Sequence, residues 1–136
     1  GEASVLMTMQ EMSTAVQYNL PIKIFILNNQ YMGMVRQWQE LLHEKNYSES
    51  YTAALPDFVK LAEAYGCVGI QATKPDELDE KINEMINTKE PVIFDCRVDP
   101  AENCYPMIPS GKPHNQMLLG PEDEKEEVTD EGKTLV

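Results

Sequence analysis

The chain has 136 residues and a formal charge of −12, with 11 Lys and Arg against 23 Asp and Glu. That length suits one domain at most, and a pI of about 4.5 argues against nucleic acid as a partner, since phosphate contacts need clustered Lys and Arg. No apolar run approaches the ~20 residues that would span a membrane, and no secretory leader is visible in these residues. Cys67, Cys96 and Cys104 are odd in number and lack metal-ligand spacing, which points to free thiols in a reducing, cytoplasmic setting.

Residues 5 to 18 place Val5, Leu6, Met9, Met12 and Val16 near a 3.6 period, predicting a helix for which Ser4 would be the N-cap. Pro21 interrupts it. IKIFIL (22–27) then reads as a strand too continuously apolar to have one wet face, ending at Asn28-Asn29. A second helix is expected from Pro56 to Tyr65, with Phe58, Leu61, Ala62 and Tyr65 inward and Gly66 as its stop. CVGIQA (67–72) is a short strand. A third helix starts in Thr73–Glu77 with Leu78, Ile82, Met85 and Ile86 inward, and PVIFDCRV (91–98) is the last strand. Helices alternating with buried strands predict an α/β fold: a three-layer parallel sheet with right-handed crossovers and helices on both faces. Three strands make a thin sheet, and a series that begins at a turn and a helix lacks its first strands. The expectation is therefore a partial fold, the C-terminal part of something longer.

Periodicity stops after residue 98. The expected division is a folded domain over 1–98, an extended arm over 99–120 rich in Pro, Gly and Asn, and an acidic disordered tail over 121–136.

In a parallel sheet, ligands bind outside the carboxyl ends of the strands. A helix of about 14 residues travels roughly 20 Å away from that edge, and a six-residue strand returns about as far. Glu2 and Asn28-Asn29 should therefore meet at one edge. A carboxylate beside an amide oxygen suits Mg²⁺, which takes hard oxygen ligands and shares them with substrate phosphates. The small Ala3 and Ser4 would let a diphosphate approach the backbone at a helix start.

Gly1-Glu2-Ala3-Ser4 followed by Asn28-Asn29, with Asn29 27 positions after Glu2, resembles the fingerprint of thiamine diphosphate enzymes. YMGMVRQWQELLHEKNYSESY (31–51), LPDFVKLAEAYG (55–66) and CYPMIPSGKPHNQMLLG (104–120) narrow the resemblance to the C-terminal cofactor domain of the acetolactate synthase (acetohydroxyacid synthase) large subunit. By that resemblance, Glu2 stands at the metal-binding Asp, Asn29 at the second side-chain ligand, and Tyr31 would supply a backbone carbonyl. Ala3, Ser4 and Gly33 would line the diphosphate, Met34 would lie near the thiazolium, and Trp38 would line the substrate channel. The resemblance implies thiamine diphosphate and Mg²⁺ as cofactors, with FAD in the full-length enzyme. It implies decarboxylation of pyruvate and carboligation to a second pyruvate or 2-oxobutyrate, in branched-chain amino acid biosynthesis. The partners it implies are further copies of the chain in a homo-oligomer and a regulatory small subunit.

Two departures bear on this. Glu2 is one methylene longer than the family's Asp, where Mg²⁺ tolerates little deviation from ~2.0–2.1 Å octahedral contacts. The family's catalytic glutamate belongs to an N-terminal domain absent here, so no catalytic residue is expected in this chain, which alone should be inactive. The competing readings are another thiamine diphosphate enzyme, such as a 2-oxo acid decarboxylase or glyoxylate carboligase, and a non-catalytic domain kept for subunit assembly. Individually, Asn28-Asn29 suits plain turn chemistry, Met32, Met34 and Trp38 suit packing, and His43 and His114 read as surface or arm residues.

Overall fold

A computed structural model describes residues 1–123. In chain order its regular elements are α1 (Glu2–Val5), α2 (Glu11–Gln17), β1 (Lys23–Asn28), α3 (Gly33–Leu42), α4 (Phe58–Tyr65), β2 (Val68–Ala72), α5 (Leu78–Asn87) and β3 (Val92–Arg97). The acidic tail expected over 121–136 lies outside the described residues beyond a 3-10 turn at Pro121–Asp123. The chain forms two compact units, one of Gly1–Met32 with Tyr51–Ala101, the other of Gly33–Ser50 with the chain from Glu102.

The first unit is a three-stranded parallel sheet in the order β1-β3-β2. Residues 92 to 96 of the central β3 are all buried, which is why the sequence there shows no alternation. On one face, Ile26 and Ile93 pack with Met12 and Ala15 of α2 and Phe58 and Ala62 of α4. On the other, Ile70, Ala72, Val92, Phe94 and Cys96 pack with Met85 of α5. The three-layer α/β arrangement is therefore the one expected, though β1 leaves Phe25 and Leu27 38% and 57% exposed.

Several local readings change. The expected helix over 5–18 begins earlier and divides: Ser4 lies inside α1 rather than capping a helix, and Gly1 holds the N-cap position. Between α1 and α2 the backbone stays wound but tightens, with i→i+3 hydrogen bonds such as Met7 N–H to Ser4 O and Thr8 N–H to Val5 O, each 3.1 Å. The winding stops at Asn19, at φ 51, before Pro21 is reached. Leu20 N–H returns to Ala15 O at 2.9 Å, closing the end as a Schellman-type cap. For α4 the start is Asp57, whose carboxylate accepts from Val59 and Lys60 N–H. These bonds, Lys60's foremost, hold the Asp57 carboxyl below its usual range. Gly66 ends α4 at φ 83. Gly69 in β2 lets α4 approach closely: a Cβ there would lie 2.8 Å from Val59 Cα and O. Ile86, expected inward, is 62% exposed, because α5 ends within a turn of it and buries Met85 instead.

In the second unit, α3 buries Arg36 and Gln37 as well as Leu42, leaving Met34 and Val35 exposed. The Gln37 amide binds the Cys104 backbone in both directions: Nε2 donates to Cys104 O at 3.0 Å and Oε1 accepts from Cys104 N–H at 2.7 Å. Arg36 donates to Asn103 Oδ1 at 2.8 Å and pairs with Glu40 at 2.7 Å. The arm closes on itself through paired Met107 and Leu118 backbones. It is irregular but tied at both ends.

Candidate functional site

Asn28 ends β1 and is 1% exposed. Its Nδ2 donates to Asp95 Oδ1 at 2.8 Å, and Gln71 Nε2 donates to the other carboxylate oxygen at 2.9 Å. One buried acid in β3 thus joins side chains of all three strands, with Arg97 Nε 3.2 Å away. With its Nδ2 so committed, Asn28 turns Oδ1 toward the next residues and accepts Gln30 N–H at 3.2 Å. Asn29 Oδ1 accepts Tyr31 N–H at 3.1 Å. Two successive Asx turns therefore shape residues 28–31, with Gln30 at φ 63 between them.

Thr52 meets this turn. Its N–H and Oγ1 both donate to Gln30 O, at 2.9 and 2.7 Å. The same Oγ1 lies 3.4 Å from Glu2 Oε1. A hydroxyl carries one proton, and the shorter contact takes it. Glu2 and the 28–31 turn are thus brought to either side of one threonine.

The Glu2 side chain is fully buried, and its Oε2 has no partner among the described residues. A carboxylate removed from water without compensation is costly, whereas a hard cation satisfies it without a proton donor. Glu2 Oε2 and the oxygens of the 28–31 turn, which Thr52 links to Glu2, are hard donors of the kind Mg²⁺ takes. Among the described residues, no cluster of three His, Cys, Asp or Glu forms a metal site of another type. The residues present fit a hard divalent cation. Ala3 beside Glu2 is half-buried and Ser4 is exposed, so small side chains lie there at the surface.

The remaining candidates lie in the second unit. Gly33 opens α3, and Met34 and Trp38 line an open cavity of about 780 Å³ with Val35, Leu42 and His43. His43, read from the sequence as a surface residue, is half-buried at that cavity. Asp95 and Thr52 were not singled out from the sequence. An acid within the apolar run PVIFDCRV was the available signal for Asp95; Thr52 carries no local one.

A parallel sheet with helices on both faces and oxygen donors at its carboxyl end defines an α/β ligand-binding domain. Residues 1–96 match the family described as thiamine pyrophosphate enzyme, C-terminal TPP binding domain, and the chain belongs to that family. It is 50% identical over 119 residues, 87% of its length, to the acetolactate synthase large subunit of Cyanidium caldarium, and covers 20% of that protein. It is 45% identical over 126 residues to the acetolactate synthase large subunit of Haemophilus influenzae, covering 92% of this chain and 22% of the relative. Among solved structures it resembles the thiamine diphosphate-dependent 4-hydroxybenzoylformate decarboxylase of Rhodococcus jostii RHA1, with a TM-score of 0.66 and 25% identity over 73% of this chain and 19% of that one. The chain spans about a fifth of the length of these curated relatives.

Proposed function

We propose that this chain supplies the metal and diphosphate half of the cofactor site in an acetolactate synthase large subunit. The observation that carries the proposal is the buried, unpartnered Oε2 of Glu2 beside a turn of oxygen donors. Glu2, Asn29 and the Tyr31 carbonyl would hold Mg²⁺, and the ion would carry the diphosphate of thiamine diphosphate. Ala3 and Ser4 would leave room for the diphosphate, and by the family's pattern Gly33 also serves it. Met34 would face the thiazolium and Trp38 the substrate channel, again by that pattern. When bound, the cofactor supplies the carbanion chemistry for decarboxylating one 2-oxo acid and joining it to another.

The chain's own contribution is orientation. The buried Asp95 rung holds Asn28, Asn28 sets the turn, and the turn aims Asn29 and Tyr31. By the family's pattern the proton chemistry would fall to a glutamate that these residues do not supply. Substrates would be pyruvate and 2-oxobutyrate, and partners a second copy of the whole subunit and a regulatory small subunit. FAD would bind elsewhere in the full-length enzyme, and the setting would be cytoplasmic. The test is product analysis with a full-length enzyme carrying this segment. Acetolactate from pyruvate supports the reading; release of free aldehyde alone would replace it with a decarboxylase.

A further inference from the structure

Gln30 holds a left-handed backbone at φ 63, a conformation that costs a non-glycine residue and persists only where its surroundings enforce it. Both of its peptide polar groups are enlisted. Its N–H goes to Asn28 Oδ1, whose amide is fixed in turn by the buried Asp95 carboxylate. Its carbonyl takes two donors from one residue, the N–H and the hydroxyl of Thr52. The sheet thus fixes one end of the strained residue, and Thr52 fixes the other.

We infer that Thr52 is a positioning residue. Its hydroxyl locks Gln30, and thereby the direction in which Asn29 Oδ1 and the Tyr31 carbonyl point, while its oxygen spaces the turn from the Glu2 carboxylate. This rests on the metal-site reading above and adds to it a residue that touches neither metal nor cofactor. Because the Thr52 proton is used on Gln30 O at 2.7 Å, the 3.4 Å contact leaves Glu2 uncompensated and available to a cation.

Thr52→Val removes the hydroxyl while keeping the side-chain shape and the backbone donor to Gln30. Free Mn²⁺ is counted by electron paramagnetic resonance while a full-length enzyme carrying this segment, with or without the substitution, is titrated with Mn²⁺ in saturating thiamine diphosphate. The Val variant should bind about tenfold more weakly, the lower end of what loss of an outer-shell partner costs, and Thr52→Ser should restore binding. A purely structural role would lower the melting temperature and leave the affinity of the folded enzyme unchanged. Equal Mn²⁺ affinity in Thr52→Val and the unsubstituted enzyme therefore overturns the inference. No saturable Mn²⁺ binding by the unsubstituted enzyme overturns the metal-site reading itself, and the role of Thr52 with it.

Discussion

If Glu2 is kept for a cation, the metal-free chain should be more stable without it. Glu2→Met is the suitable change, because methionine follows the shape of glutamate and removes both buried oxygens. Among the described residues, Oε2 has no partner to lose. Oε1 loses only the 3.4 Å contact to Thr52, whose proton already sits on Gln30 O at 2.7 Å, so no donor is orphaned. An unsatisfied buried polar group costs about 1–3 kcal/mol, and swapping polar atoms for an apolar tip adds somewhat under ~1 kcal/mol. The net expectation is a gain of about 2 kcal/mol, or a melting temperature about 7 °C higher for a chain of this length. The assay is thermal unfolding by circular dichroism in EDTA. Mg²⁺ with thiamine diphosphate should then raise the melting temperature of the unsubstituted chain and leave Glu2→Met unmoved. A Glu2→Met chain that melts several degrees lower in EDTA would refute the reasoning, since the carboxylate would then hold a structural partner.

Two further expectations concern the fold beneath the site. Gly69→Ala would drive a Cβ to 2.8 Å from the Val59 backbone, which helix and strand relieve only by moving apart. A loss of about 1–3 kcal/mol follows, read as a lower urea midpoint, and an unchanged midpoint would contradict the close approach of α4. Burial pushes the Cys67 and Cys96 thiols above an ordinary 9.0, with the Asp95 charge adding to Cys96, while Cys104 is exposed. A thiol-disulfide reagent at pH 8 should therefore titrate one cysteine quickly and the other two only after unfolding; three equal rates would contradict this. Since both raised values favour the protonated fold, the stability they contribute is complete below the unfolded value and is lost as pH rises through the folded one.

What could be read in the sequence was what depends on neighbours. β3 showed as a continuous apolar run because both faces of the central strand are covered, whereas β1 read the same way yet leaves Phe25 and Leu27 exposed; Gly66 marked a helix end because left-handed backbone favours glycine. Glu2 and the residues after β1 could be expected at one sheet edge because wound backbone and a strand of known rise connect them. The rest depended on distant partners. No expectation covered α3, whose buried Arg36 and Gln37 are satisfied by Asn103, Cys104 and Met107, about seventy positions away. Asn28 suited turn chemistry alone until Asp95, 67 residues on, showed why it is buried. Thr52 lies 22 residues from Gln30 and 50 from Glu2, and nothing in its own segment announces either. The break between α1 and α2 was hidden for another reason, since 3-10 winding keeps much of an α-helical apolar period.

On the proposed function, Glu2 and the 28–31 turn hold a diphosphate through a divalent metal. Calorimetric titration of a full-length enzyme carrying this segment with thiamine diphosphate, with and without Mg²⁺, tests this. Saturable binding that requires Mg²⁺ and disappears in Glu2→Gln is expected. Binding that is indifferent to Mg²⁺, or no binding by the unsubstituted enzyme with recovery in Glu2→Asp, would contradict it, the second result by showing that the longer side chain has disabled the site.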